Sequence, residues 1–332
     1  MKYIIDGHYD ILMDVAARRK KGERQVIRRR YYPAFQKGGV TGIVASIFVD
    51  SQYLPYGALS VAMEQISALH CEIEETPDLF MLCTSADDFL RAAETGRIGF
   101  LLSFEGAEPV SSCLLLHGFY AAGVRGLGLA WSRRNAAADG CDFSGSLKKG
   151  GLTEFGRELV KEAEDLHMIL DLSHLSDEGV EDVLSITSCP VIASHSNSRA
   201  VAGSNRNLTD CQMREIASRG GTVGLNGCSL LTAGPGVSPD QNGLTAHLDH
   251  MTEIMGEDHV AFGFDFCDSF FADDLSTSTD QMPERPFDIL SGAHEDLPAF
   301  LDHLRQHGYT ESHLAKLAGE NWLHTFRHIL KH

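Results

Sequence analysis

Eight short apolar runs, most of them separated by segments with helical spacing, predict an α/β chain folded as a (β/α)8 TIM barrel with extra C-terminal helices. Polar residues stand at the carboxyl ends of several of these runs, the end at which such barrels carry their chemistry. No glycine-rich phosphate loop follows the first run, as the competing doubly wound sheet would require. The 332 residues, 43% of them hydrophobic, suffice for one large core, and 1–332 is read as a single domain.

Residues 3–6 form the first strand and lead into Gly7-His8-Tyr9-Asp10, where alternation puts His8 and Asp10 on one side of the backbone. The basic stretch 16–32, with Arg18-Arg-Lys-Lys21 and Arg28-Arg-Arg30, reads as a solvated loop. The sharper alternative is a basic rim guiding an anionic substrate. Residues 42–49 are apolar throughout, as a strand buried on both faces should be. In 57–75, Leu59, Ala62, Met63, Ile66 and Leu69 recur at helical spacing, which places Met63 in the core. A helix over 86–95 precedes the third strand, 98–104, which ends at Glu105-Gly-Ala-Glu108. A carboxylate after such a run must pair or bind something. Helix 111–122 leads to strand 124–130 and to the mouth segment Trp131-Ser-Arg-Arg-Asn135.

Thr153 caps a helix that continues to about residue 167. Strands 168–172 and 190–194 then end at His174 and His195, so that twice an apolar run closes in Ser-His. Strand–helix–strand at this spacing makes the two strands parallel neighbours, and imidazoles at adjacent strand ends can converge on one metal. Arg206 precedes helix 209–219; strand 221–226, helix 243–255 and strand 259–264 follow, the last ending at Asp265-Phe-Cys-Asp268. The segment 269–292, rich in Asp, Ser, Thr and Pro, reads as an irregular loop over the mouth, and helices over 295–307 and 311–329 close the chain.

The balance of 28 Lys+Arg against 46 Asp+Glu, formally −18, argues against nucleic acid or an anionic membrane as the main partner. No apolar run reaches the roughly 18 residues of a membrane span, and neither a signal peptide nor a lipid-anchor tail is evident. The eight cysteines form no C-x-x-C; with Cys189 and Cys211 read as packed thiols, the expected compartment is a reducing cytoplasm.

His8, Asp10, Glu105, His174, His195 and Asp265 all fall at carboxyl ends of predicted strands. Three imidazoles and two or three carboxylates exceed what one tetrahedral zinc needs. They match two divalent ions, His8 and Asp10 serving one, His174 and His195 the other, with Glu105 as the bridge. Ions roughly 3.5–4 Å apart hold a hydroxide and polarise a carbonyl. Nitrogen and oxygen ligands without thiolate favour zinc over manganese or iron. No lysine ends a predicted strand, so a carbamylated-lysine bridge has no candidate.

The chain resembles the membrane (renal) dipeptidases of the amidohydrolase superfamily nearly end to end. The motifs are Asp6-Gly-His-Tyr-Asp10, Phe104-Glu-Gly106, Gly151-Leu-Thr-Glu-Phe-Gly156, Leu170-Asp-Leu-Ser-His174, Ser194-His-Ser196, Arg206-Asn-Leu-Thr-Asp210, Gly263-Phe-Asp-Phe266 and Gly319-Glu-Asn-Trp-Leu323. The resemblance implies a zinc-dependent barrel that cleaves dipeptides. It implies His8, Asp10, Glu105, His174 and His195 as ligands of two Zn2+, Arg206 as the partner of the substrate carboxylate, and Asp265 as the acid–base group. Asp265 and Glu105 are thus the catalytic candidates, acting through a metal-bridging hydroxide. Two departures stand out. Ala130-Trp131 replaces the family's Thr-His pair, whose histidine is credited with stabilising the oxyanion; Trp131 Nε1, Asn135 or a metal ion are the candidates to take that role, with Trp131 and Asn135 contacting substrate. Cys267-Asp268 replaces the usual Asp-Gly after strand eight. The expected partner is a dipeptide, with no nucleic acid and no membrane, and a homodimer is left open. The strand-end ligands also permit lactone, cyclic amide or phosphotriester hydrolysis, or a metal-stabilised scaffold without catalysis.

Overall fold

The computed structural model describes residues 1–142, 150–271 and 287–330. Nine strands are present among them: β1 (Ile5–Tyr9), β2 (Gly42–Phe48), β3 (Phe80–Leu82), β4 (Ile98–Glu105), β5 (Val124–Gly128), β6 (Ile169–Asp171), β7 (Ile192–Ala193), β8 (Thr222–Leu225) and β9 (Val260–Phe262). All pairings are parallel, in the order β1-β2-β4-β5-β6-β7-β8-β9. With helices between the strands, this is the expected (β/α)8 barrel. The seam between β9 and β1 is made differently from the other pairings. The Asp265 amide donates to the His8 carbonyl at 3.3 Å, and the Phe264 amide donates to the Asp6 carboxylate at 2.9 Å. The Asp6 side chain thus stands in for a ladder carbonyl, and its other oxygen meets His294 Nε2 at 2.8 Å.

Strand β3 was not expected. It pairs with the first residues of β4, Phe80 opposite Ile98 and Leu82 opposite Phe100, whereas β5 pairs with the last, Leu102 to Glu105. One long strand therefore carries two short ones on the same edge.

Alternation sorts each strand into two faces. Outward residues such as Ile43, Ile47, Phe100 and Phe104 pack beneath the helices. Inward, Ile5, Val44, Leu101, Ile169, Ile192 and Ala261 form a separate apolar floor with Trp322 and Phe326 of the final helix, Asn321–Ile329. That helix explains the glycine within Asp6-Gly-His: a side chain at Gly7 would overlap the Trp322 ring, whose Nε1 donates to the Phe262 carbonyl at 2.8 Å. Above the floor, Ser46 lies level with Ser103 and Phe48 with Glu105. The barrel passes from apolar to polar within two pleats.

The helices agree closely with expectation: Ala58–Glu75, Ala86–Glu94, Cys113–Ala121, Glu154–Asp165 capped by Thr153, Asp210–Ser218 capped by Thr209, Gln241–Met255 and Leu297–Gln306. The last predicted helix is divided into Glu311–Ala315, Lys316–Glu320 and Asn321–Ile329. Several expectations are corrected. The basic stretch is largely helical and only in part solvated: Ile11–Lys20 is a helix, Arg18 is buried against Asp14 at 2.6 Å, and Arg19 pairs with Glu72 and, at 2.6 Å, with Glu75, whereas Lys20, Lys21, Arg24 and Arg28 to Arg30 are exposed. Leu59 and Met63 are 44% and 41% exposed, so only Ala62, Ile66 and Leu69 of that set form core. Cys189 and Cys211 are exposed rather than packed. Asp268–Phe271 begins the expected mouth loop with a helical turn, and residues 272–286 of that loop lie outside the described residues. No described helix is long and apolar enough to cross a membrane.

Candidate active site

The predicted ligands meet. His8 is the last but one residue of β1, within a register shift between Asp6 and Tyr9, and Asp10 stands at the N-cap position of the next helix. Glu105 is the last residue of β4, while His174 and His195 follow β6 and β7. His8, Glu105, His174 and His195 are all buried. Two residues here, His174 (φ 68) and Asp265 (φ 60), adopt the left-handed conformation that non-glycine residues rarely take, and which clusters at functional sites.

Glu105 stands at the centre, and its two oxygens face different partners. Oε2 lies 3.2 Å from His8 Nε2, and His8 Nε2 lies 3.6 Å from Asp10 Oδ1. Oε1 lies 3.0 Å from His174 Nε2 and 3.7 Å from His195 Nε2. The Nε2 atoms of His174 and His195 are 3.0 Å apart. Asp265 Oδ1 approaches from the far side, 3.9 Å from His8 Nε2.

Each imidazole is aimed by a serine. His174 Nδ1 contacts Ser132 Oγ at 2.9 Å, and His195 Nδ1 contacts Ser194 Oγ at 2.7 Å, with His8 Nδ1 3.4 Å from the same oxygen. These contacts turn every Nε2 inward, as outer hydrogen bonds do for metal-binding histidines. Ser46 donates to Asp10 and, at 3.3 Å, to Glu105. Asp171 accepts from the amides of Ser173 and Ser194 at 3.0 and 2.9 Å, tying together the two strand ends that carry the histidines.

The electrostatics are in conflict. Burial pushes Glu105 up to about 8, and the charge of Asp10 adds to it. Burial holds His174 and His195 well below the ordinary histidine range, helped by the positive charges of Arg206 and His8. Burial also opposes the charged form of His8, but the Glu105 and Asp10 carboxylates outweigh it and raise that imidazole. Burial and Asp10 raise Asp265 to about 6.

These residues fit divalent cations. His8 Nε2 is buried without a hydrogen-bond partner. His8, Asp10 and Glu105 each offer one atom within 4.8 Å of the others, and so do Glu105, His174 and His195. If the serines accept from Nδ1–H, the lone pairs of His174 and His195 face each other, a conflict that a cation removes. Two further trios meet the same limit: His8, His195 and Asp265, and Asp10, Asp265 and Cys267. Cys267 is the one thiol among these groups; the sequence marked it as a departure from the family pattern after strand eight, but not as a candidate ligand.

The remaining candidates are placed unequally. The Arg206 guanidinium lies beside the cluster, donating from Nη1 to Ser196 Oγ and from Nη2 to the His195 carbonyl, both at 2.8 Å. The half-buried Trp131 ring is tilted over His174, with centroids 5.7 Å apart, and is backed by Phe48 at 5.4 Å and the Arg133 guanidinium at 5.1 Å. Asn135 is not brought to the cluster. Its Nδ2 donates to the Leu129 carbonyl, and its Oδ1 accepts from the amides of Ala137 and Ala138, so the side chain braces its own loop.

The membrane dipeptidases, peptidase family M19, match this chain over residues 2–331. The chain belongs to this family of metallo-dipeptidases. It is similar to the crystal structure of the dipeptidase AC, a metallopeptidase of the same family, with 32% identity, a TM-score of 0.85, and 99% of this chain and 98% of that one covered. It is also similar to a metallopeptidase from Rhodobacter sphaeroides liganded with a phosphinate mimic of the dipeptide L-Ala-D-Ala, with 31% identity, a TM-score of 0.83, and 98% and 99% of the two chains covered. A Klebsiella pneumoniae protein encoded in the 5′ region of pqqA is 32% identical over 283 residues, covering 83% of this chain and 98% of its own length. This membrane dipeptidase family member thus aligns with two of these relatives across almost its whole length.

Proposed function

We propose that this enzyme is a zinc dipeptidase that hydrolyses the peptide bond of dipeptides, with two divalent ions that His8 and Asp10, His174 and His195, and a shared Glu105 would hold. One observation carries the reading: the two oxygens of Glu105 divide between the His8/Asp10 pair and the His174/His195 pair. Imidazole and carboxylate donors in this number suit zinc. When bound, such ions make water nucleophilic and polarise a carbonyl.

The chain's own residues do the rest. Asp265 takes a proton from the attacking water at Oδ1 and returns it to the leaving amine, base first and acid second. Its side chain keeps 19% of its surface exposed, so substrate can reach it. Arg206 holds the terminal carboxylate of the dipeptide in a charge-assisted pair. Of the five N–H groups of a guanidinium, its two fixed bonds leave others for substrate. The half-buried face of Trp131 forms a wall beside His174 against which a substrate side chain packs.

The test is metal analysis with a substrate panel on zinc-loaded protein. The panel holds L–L and L–D dipeptides, L-Ala-D-Ala among them because a similar enzyme was captured with its mimic, together with lactones and phosphotriesters. Two ions per chain and preferential dipeptide hydrolysis are expected. Less than one ion per chain with no hydrolysis, or a preference for lactone or phosphotriester, would overturn the proposal.

A further inference from the structure

The proton-carrying role proposed for Asp265 needs one carboxylate oxygen presented to the reacting atoms. A carboxylate can exchange its two oxygens by rotation about a broad terminal torsion, so something must choose between them. Asn226, the residue directly after β8, is placed to do so. It is fully buried and its bonds are saturated. Its Oδ1 accepts from the Cys228 amide at 2.7 Å, and its Nδ2 donates to Asp265 Oδ2 at 3.0 Å and more weakly to the His195 carbonyl at 3.5 Å. Its own amide donates to Asn197 Oδ1 at 2.9 Å.

The orientation of this amide is not a free choice. A backbone N–H can only donate, so the atom facing Cys228 must be the oxygen, and the NH2 group must face Asp265. We infer that Asn226 is a positioning residue for the proposed proton transfer: it pins Asp265 Oδ2 and thereby leaves Oδ1, the oxygen turned toward His8, as the atom that receives and releases the proton. The His195 carbonyl that Asn226 touches also accepts from Arg206. Through that carbonyl, the group that moves the proton and the group that would hold the substrate are registered to the same candidate ligand. The step balances: Oδ1 takes a proton from water as its oxygen bonds to the carbonyl carbon, and gives that proton to the nitrogen as the C–N bond breaks.

This inference rests on the dipeptidase reading, and a kinetic double-mutant cycle separates the two. The variants are Asn226→Ala, Asn226→Asp, Asp265→Asn and the Asn226→Ala/Asp265→Asn pair, assayed on a dipeptide with zinc content measured for each. Loss of an outer hydrogen bond of this kind lowers activity on the order of 10- to 100-fold. Asn226→Ala should show that loss in kcat, with KM within about threefold and zinc content unchanged. In the Asp265→Asn background the same substitution should add no further loss, because its effect runs through Asp265. Asn226→Asp keeps the acceptor for Cys228 and removes the donor. It should lose at least as much, and it serves as the reading variant if Asn226→Ala does not fold. Wild-type kcat in either variant, equal losses in both backgrounds, or a loss traced to missing zinc would overturn the inference while leaving the dipeptidase reading intact. Near-normal turnover of Asp265→Asn alone would remove the proton-transfer role and this inference with it.

Discussion

Leu101 and Glu105 lie on the same strand and face the same barrel interior, four residues apart, yet their surroundings oppose each other. Leu101 belongs to a floor of aliphatic side chains sealed by Trp322 and Phe326. Glu105 sits among three imidazoles and two other carboxylates, where burial works against every charge. The floor gains from hydrophobic burial and close packing. The mouth carries two left-handed residues and a cluster of buried charges and lone pairs that repel one another. The two ends should therefore respond to substitution in opposite ways.

The largest expected effect lies at the mouth. Asp265→Asn should lower turnover about 10²- to 10⁴-fold with zinc content and melting temperature little changed. Near-wild-type turnover would erase the proposed division of labour. At the floor, Trp322→Ala should cost about 3–5 kcal/mol of stability, measured by chemical denaturation. Protein that remains folded at low temperature should still bind zinc. A change below about 1 kcal/mol would show that the floor does not support the barrel in this way. Third, Arg206→Ala should reduce kcat/KM for dipeptides about 10- to 100-fold, the worth of one or two hydrogen bonds to a charged group. An equal loss on substrates without a terminal carboxylate would deny it the recognition role.

The smallest effect is also the sharpest test of conflict at the mouth. With its carboxyl raised from 4.5 to about 8, Glu105 binds its proton more tightly in the folded chain than in the unfolded one. Between those values the folded state holds more protons, so its contribution to metal-free stability falls as pH rises and is fully present only below about 4.5. Glu105→Gln should flatten that slope in chelator-treated protein, and an unchanged slope would place the conflict elsewhere. Zinc binding should reverse the trend, because the ions bind the deprotonated carboxylate.

The same contrast explains what the sequence reveals. Long apolar strands such as β2 and β4 are legible because period and length agree. Strand β3, three residues long, carries too little pattern to be seen. The candidate ligands are legible because a polar residue at the end of an apolar run is conspicuous. Ser132 and Asn226, which aim those residues, are single small polar side chains that no spacing marks; Ser194 stands in the repeated Ser-His, but the pattern does not disclose that it aims an imidazole. Asn135 reads as a mouth residue, but its bonds to Leu129, Ala137 and Ala138 depend on a local turn that composition does not disclose. The misreading of Arg18 and Arg19 has another cause. A run of cations looks solvated when its partner lies far along the chain, and Glu72 is 53 residues beyond Arg19.

The seam of the barrel ties shape to competence. His8 hangs from β1 and Asp265 follows β9, the two strands held together by the Asp6 carboxylate and a single stretched amide contact. Parting them would carry a candidate metal-binding imidazole away from the proposed acid–base carboxylate. If the proposed proton transfer holds, closing the ring and bringing Asp265 to His8 are the same step.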